Sequence, residues 1–495
     1  MRSAIASCLL VGSLLAASAG EAATYYVRAG GNDSADGRSH ANAWGSLSAV
    51  NNRTFAAGDI VLLHEGDTFY GTLTVNWSGT STTQPAVVGA YYLKDGVAAR
   101  GYQNGRPAID GRNALPSGRY DALLHVTGDR VRVENIKVMN SRGRGIDFLS
   151  SDDSWAVNCY VDRVYGSGIQ FQSSANAHVQ QSYVTHAGQA FKDGATWGSS
   201  IEIYKSLAAV VENNLVFENY GEGINAHGGS TATIIQANTV YGVRAVGIYA
   251  DAAPDTTIRR NIVLGTTNSE YWRSARTVGA GIALNNESYH YDREGLSPAV
   301  QTQRARVYDN LVAFTASGVA IWGEYAGSSF DGTVIFNNTF VDNDNQIAVL
   351  GTPKPSSKLI NNVFLSLSSG THDVSGGPSL GGMVAKSNYF SQGNPGGDFA
   401  NAGNRYTGIK LKKMSGWRAI SDRTQVTWKD FDNQTDSTSI GAGDDEPSRM
   451  ASGGDAFQLD FNKTSHNQPM DMGGLKFNLP VVAKMPAAPE NLALN

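Results

Sequence analysis

A-V-V-E-N-N-L-V from Ala209 to Val216, A-T-I-I-Q-A-N-T-V from Ala232 to Val240 and T-T-I-R-R-N-I-V from Thr256 to Val263 are one phrase written three times. Each copy alternates apolar and polar residues, reaches an Asn, and resumes with an apolar pair. Alternation of this kind places every second side chain on the same face of a short strand. After the first two copies comes a second short strand, G-I-N-A around Ile224 and G-I-Y-A around Ile248. Strands this short, recurring at a fixed interval, mark a coil that closes on itself and is repeated.

Working outward, the Asn position recurs at Asn135, Asn158, Ser182, Asn214, Asn238, Asn261, Asn310, Asn338, Asn362 and Asn388, at separations of 23, 24, 32, 24, 23, 49, 28, 24 and 26 residues. A step near 24 is one turn of a three-sided coil. Steps of 32 and 28 are turns carrying loops, and 49 is two turns or one with long insertions. The second strand recurs with Ile146, Ile169, Ile201, Ile224, Ile248, Ile282, Val319 and Ile347. One coil cannot bury its own apolar edge, so coils stack about 4.8 Å apart around a common interior. The fold class expected is all-β, a right-handed parallel β-helix with coils of about 24 residues. The recurrent Asn suits a bend between strands, where it tolerates left-handed backbone and hydrogen-bonds to its counterparts above and below. The chain has 56 glycines in 495 residues without a period of three, which agrees with many tight turns.

The first 23 residues, with Arg2, an apolar run from Ile5 to Ala17 and Ala22-Ala23, read as a signal peptide, predicting export to the periplasm or beyond. Cys159 is then the one cysteine left, so the core rather than disulfides must hold the fold. Residues 24–120 read as an entry and capping region, 121–390 as the central coils, and 391–495 as an irregular closing segment. A net charge of −5 gives no global attraction to nucleic acid or an anionic membrane, and no membrane anchor is indicated. An anionic polysaccharide remains an acceptable partner if Lys and Arg gather locally. Nothing in the sequence bears on oligomeric state.

The stretches T-Y-Y-V-R-A-G-G-N-D-S-A-D-G, A-W-G-S-L, F-A-A-G-D-I-V-L-L-H-E-G-D-T-F and P-A-V-V-G-A-Y, with M-S-G-W-R-A-I and F-Q-L-D-F-N-K-T-S-H-N-Q-P-M-D-M-G near the far end, carry a resemblance. The chain resembles exported bacterial right-handed parallel β-helix proteins of the polysaccharide lyase, glycoside hydrolase and uronan epimerase type. That resemblance implies the fold and a polysaccharide substrate, and leaves the bond chemistry open.

Aligning the second strands writes out two outward columns. One holds Glu202, Asn225, Tyr249 and Ala283; the other holds Tyr204, His227, Asp251 and Asn285. Glu202, Tyr204, His227, Tyr249 and Asp251 are the catalytic candidates, with Asp251 expected to orient the His227 imidazole and a Tyr to move a proton. Three long excursions border these rungs, at 187–199, 266–278 and 286–298. Lys192, Trp197, Lys205, Asn225, Arg244, Trp272, Arg276, Asn285 and Trp322 are the candidate substrate contacts.

Two reaction classes follow. β-Elimination on a uronate polysaccharide, the reading placed first, would use His227 with Tyr204 or Tyr249, while Asn225, Lys205, Arg244 or a loop Arg neutralises the carboxylate. C5 epimerisation is a near variant, lowered by the lack of a D-P-H signature. Glycoside hydrolysis needs two carboxyl groups. Glu202 and Asp251 start roughly 11 to 12 Å apart at the backbone, so Asp193, Glu222, Glu270 or Asp292 could replace one of them. A non-catalytic polysaccharide-binding β-helix is the third reading. No cofactor is required by any motif; a Ca²⁺ ion bridging a uronate and groove acids is chemically reasonable, but no H-E-x-x-H or EF-hand loop supports a metal site.

Overall fold

The computed structural model describes residues 22–194, 197–274, 277–349, 352–375, 379–400 and 403–406. Most of the expected leader, Arg276 and most of the expected closing segment lie outside the described residues. Among those described, strands stack into three sheets of 14, 12 and 11 strands. Each coil gives one strand to each sheet in turn, as Val131–Glu134, Lys137–Ser141 and Arg144–Leu149 do before Trp155–Val157 rejoins the first sheet. The stacking is parallel, with one antiparallel hairpin where Ala86–Lys94 pairs Val97–Arg100. The result is a right-handed parallel β-helix, the hand that twisted strands favour for parallel crossovers. No helix among the described residues is long and apolar enough to cross a membrane.

The register inferred from the repeat is the register found. Ile146, Ile169, Ile201, Ile224, Ile248, Ile282, Val319 and Ile347 pair one above the next and are fully buried. Phe148 stacks on Phe171 with ring centroids 4.1 Å apart, and Phe340, Phe364 and Phe390 form a second pile. The 49-residue step is a single coil with insertions, because Asn261 N donates directly to Asn310 Oδ1.

The Asn column needs one correction. The left-handed backbone belongs to the preceding residue: Asn213, Ala237, Arg260, Asp309, Asn337 and Asn361 all have φ between 54° and 57°. The next residue turns inward and builds the ladder. From Asn238 through Asn261, Asn310, Asn338 and Asn362 to Asn388, each amide oxygen accepts from the backbone N–H and side-chain amide of the Asn one coil before, beginning with Asn214. On the earliest coils the inward positions are Ile136 and Cys159, so Asn135 and Asn158 fall one residue early. Both occupy the left-handed position, with φ of 59° and 51°. Spacing could not separate these two roles, because Asn satisfies both.

Candidate active site

The third sheet forms the floor of a cleft of about 840 Å³ that crosses the strands from Tyr120 and Arg144 at one end to Trp322 and Glu324 at the other. Its central column pairs Asp147, Gln170, Glu202, Asn225, Tyr249 and Ala283 in succession. The parallel column pairs Tyr204, His227, Asp251 and Asn285. The structure therefore brings the five catalytic candidates onto one face, as the alignment predicts. Their partners differ from those expected.

His227 does not use Asp251. Its Nε2 lies 2.9 Å from Glu202 Oε1, across the diagonal between neighbouring rungs, while its ring stacks on Tyr204 at 4.8 Å. Burial works against the imidazolium, but the Glu202 carboxylate outweighs it and raises the His227 pKa. Burial likewise opposes ionisation of Glu202, yet hydrogen bonds from His227 and Ser167 and the charge of Arg144 hold its carboxyl below the usual range. Each partner thus favours the charged form of the other.

Asp251 instead anchors the 286–304 excursion. Its Oδ1 accepts from Glu287 N at 2.7 Å and its Oδ2 contacts His290 Nε2 at 2.9 Å, while His290 Nδ1 lies 2.9 Å from Glu294 Oε2. His290 is buried, which disfavours its charge, but its two carboxylate partners raise its pKa to about 9. Asp251, Glu287 and His290 offer ligand atoms within 4.8 Å of one another. That arrangement does not suit a hard cation such as Ca²⁺, which takes six to eight oxygen ligands. The protonated imidazole, engaged at both nitrogens, already supplies the positive charge.

This clamp titrates. The folded pKa of His290 is raised above the ordinary histidine value of about 6.5, so its stabilisation is complete below that pH and is lost as pH rises through about 9. Trypsin cleavage after the exposed Arg293 should accelerate about tenfold across that upper limb, and His290→Ala should be cut readily even at neutral pH. Cleavage that ignores both pH and the substitution would refute the clamp.

The tyrosines are poor bases. Tyr249 is 2 % exposed, lies beneath Trp322 with rings 5.9 Å apart, and donates to Glu287 Oε1 at 2.7 Å. Burial, followed by the charges of Asp251 and Glu287, raises its pKa well above 10. Tyr204 donates to Glu294 Oε1 at 2.6 Å, and burial together with that carboxylate raises it too. Both phenols stay protonated.

Glu222, one of several replacements considered for a second carboxyl, is a buried acid whose ionisation is strongly altered. It opens the Glu222–His227 strand, opposite Ser199. Its Oε2 accepts from Asn225 Nδ2 at 2.6 Å and from Ser199 Oγ at 2.9 Å. Burial is the main cause that pushes its pKa up to about 7, with repulsion from Glu287 and Glu202 adding to it and His227 opposing. The neighbouring Gly223 lets the coils approach, since a Cβ there would stand 2.2 Å from Gly247 O.

The proposed substrate contacts divide. Trp197, Asn225 and Trp322 line the cleft. Asn285 is buried beneath it and donates to the Tyr249 hydroxyl at 2.8 Å, so it positions the phenol. Lys205 lies over the Tyr204 ring and 3.8 Å from Glu294, outside the cleft lining. Lys192 is tied to Glu270 at 2.9 Å, Arg244 packs over Phe191, and Trp272 donates to Thr266 O within its own loop. These three brace the walls, because excursions of this length need internal partners before they can present anything to a ligand.

Sequence reading missed Glu287, His290 and Glu294, although their spacing of three and four residues was a usable signal for a short helix, found at Ser288–Asp292. It also missed Arg119 and Tyr120, which precede the aligned rungs, and Arg144, which opens the first of them; all three reach the cleft only once coils are stacked.

No curated protein matches this chain. Among solved structures, the pectate lyase Pel9A is similar at 18 % identity and a TM-score of 0.51, with 92 % of this chain and 96 % of that chain covered. The GH136 lacto-N-biosidase from Eubacterium ramulus is similar at 15 % identity and a TM-score of 0.48, with 74 % and 67 % covered. The alginate lyase from Paenibacillus sp. str. FPU-7 is similar at 17 % identity and a TM-score of 0.44, with 63 % and 93 % covered. At such identities the likeness is one of fold. The profile described as right handed beta helix region matches residues 93–240 and 198–364, together more than half of the chain. With its stacked parallel sheets, the chain belongs to the right-handed β-helix family.

Proposed function

We propose that this protein is an exported glycoside hydrolase acting on a polysaccharide, with Glu222 as the general acid and Glu202 as the general base. The observation that carries the reading is the pair of opposed carboxyl environments in one cleft: Glu222 is raised to about 7 and Glu202 is lowered. A neutral carboxylic acid beside an ionised carboxylate is what glycoside hydrolysis requires. Glu222 gives its proton to the leaving oxygen as the anomeric C–O bond breaks. Water bonds through oxygen to the anomeric carbon, and Glu202 takes the proton that the water releases. The net result is water divided across the bond.

Three strand positions and one rung separate the two residues, roughly 11 Å at the backbone. Glu222 reaches along its strand to Asn225, the rung neighbour of Glu202, so its side chain shortens that separation toward the about 6.5 to 9.5 Å of a pair that leaves room for a water and inverts the anomeric centre. Export rests on the leader-like residues 1–23, with the first strand, Thr24–Val27, beginning directly after them.

β-Elimination ranks below hydrolysis for a physical reason. His290 is raised to about 9, the Glu202 carboxylate shifts His227 toward its charged form, and the Tyr204 and Tyr249 phenols are shifted up as well, which disfavours each as the group that removes a proton beside a carboxylate. Digestion of a panel of uronate-containing and neutral polysaccharides should release reducing ends without the ultraviolet absorbance of an unsaturated sugar. An unsaturated product would overturn hydrolysis in favour of elimination. Failure to cut a broad panel would favour a binding role.

A further inference from the structure

Beyond the reacting carboxyls, the cleft has a chemically distinct end. Tyr120 is 55 % exposed at its N-terminal limit, with the Arg119 guanidinium 4.7 Å from the ring centroid and that of Arg144 at 5.8 Å. Arg119 has no carboxylate within ion-pairing reach among the described residues. Arg144 opens the Arg144–Leu149 strand, donates through Nη1 to Tyr120 O at 2.9 Å, and stands 3.9 Å from Asp147 Oδ1. This leaves an aromatic face flanked by two fixed positive charges. Such a platform stacks the apolar face of a sugar while the guanidinium forks take an anion.

The floor beside it points to a ligand independently. Gln170 lies one rung before Glu202 in the same column and is 1 % exposed, yet its Oε1 has no hydrogen-bond partner. Asn225, one rung after Glu202, also has an unpartnered buried Oδ1. Buried acceptors left unpaired cost about 1 to 3 kcal/mol each. Sugar hydroxyls are donors suited to both. Two rungs and three strand positions separate Arg144 from Glu202, roughly 14 Å at the backbone.

The middle of the cleft has the opposite character. There Glu202 is paired with His227, Asp251 and Glu294 are paired with His290, and Glu222 is raised toward the neutral acid, so the reacting position carries paired charges in place of the open guanidinium groups of the Tyr120 end. Resting on the cleft being the polysaccharide site, we infer that Arg119, Tyr120 and Arg144 form a subsite for a sugar bearing a carboxylate or sulfate, beside a reacting sugar that carries no charge. The substrate is then an acidic heteropolysaccharide in which charged and neutral residues alternate or are interspersed.

Binding tests this without depending on the reaction. Calorimetric titration of the full-length Glu222→Gln protein would use oligogalacturonate, oligomannuronate and sulfated galactan oligosaccharides, each beside its carboxyl-reduced or desulfated counterpart. At least one acidic probe should bind about tenfold or more tighter than its neutral counterpart, with affinity falling as salt rises. Arg119→Gln and Arg144→Gln should each remove most of that preference while leaving affinity for the neutral probe unchanged, and Arg119→Lys should restore part of it. Carboxylate and sulfate probes distinguish the two anions. Equal affinity for every charged and neutral pair, or a loss in the variants that is the same for both members, would overturn the subsite. If the charge preference appears while digestion yields unsaturated products, the subsite stands and hydrolysis falls.

Discussion

Replacing Glu222 by Gln should lower the turnover number by about 10³-fold, equivalent to about 4 kcal/mol of transition-state stabilisation, while the coil stack remains intact. The amide is nearly isosteric and can still accept from Ser199 and Asn225, so the loss isolates the proton. Reducing-end release against pH gives a second readout. Wild-type turnover should fall as pH rises through about 7, the value to which burial pushes Glu222, and the variant should lack that limb. An aryl glycoside whose leaving group departs without a proton should recover most of the loss in Glu222→Gln and none in Glu202→Gln. Equal losses on both substrates would remove Glu222 from the acid role.

The same residue links function to stability. Its folded pKa lies above the ordinary glutamate range near 4.5, so its contribution to stability is complete below that pH and is lost as pH rises through about 7. Glu222→Gln should therefore resist urea better than wild type above about pH 7. A buried acid kept for catalysis is a local cost that the rest of the coil stack offsets.

Asn261→Ala should cost about 3 kcal/mol while leaving the cleft untouched. Asn261 is fully buried, donates to Ile235 O and Asn310 Oδ1, and accepts from both the backbone and the side chain of Asn238. Truncation strands the Asn238 N–H in the interior and opens a small cavity, each of which costs free energy. Urea unfolding followed by tryptophan fluorescence would read the lowered midpoint. Asn158→Gly, at a half-buried left-handed position where the side chain bridges Asn135 and Arg106, should cost less, about 1 kcal/mol. Similar losses at both sites would mean that the ladder does not contribute more than an ordinary bend.

The two asparagines illustrate how far the repeat could be read. Both fit the phrase, but the left-handed residue and the ladder residue are adjacent in sequence, and their roles separate only when one amide is seen inside the coil. The 49-residue step was ambiguous for a related reason, since chain length does not distinguish an extra coil from an insertion.

The candidate site divides along the same line. The two outward columns were legible because residues on successive rungs inherit their positions from strand register, which the alternating apolar residues fix. Tyr204, His227 and Asp251 therefore share a face as expected. Which acid meets which imidazole was decided by the side chains and by the 286–304 excursion. That loop brings His290 to Asp251, leaving His227 to reach back to Glu202.

By itself the sequence determined the coil, its register and the face that carries the polar columns, because a periodic apolar pattern has one way to bury itself without moving every side chain to the wrong side. Only the tertiary structure decided the ionisation of Glu222 and Glu202, the clamp on Asp251, and the joining of Tyr120 and Arg144 to a cleft centred on later coils. These depend on distance and solvent exclusion between groups far apart in the chain, and local spacing carries no record of either.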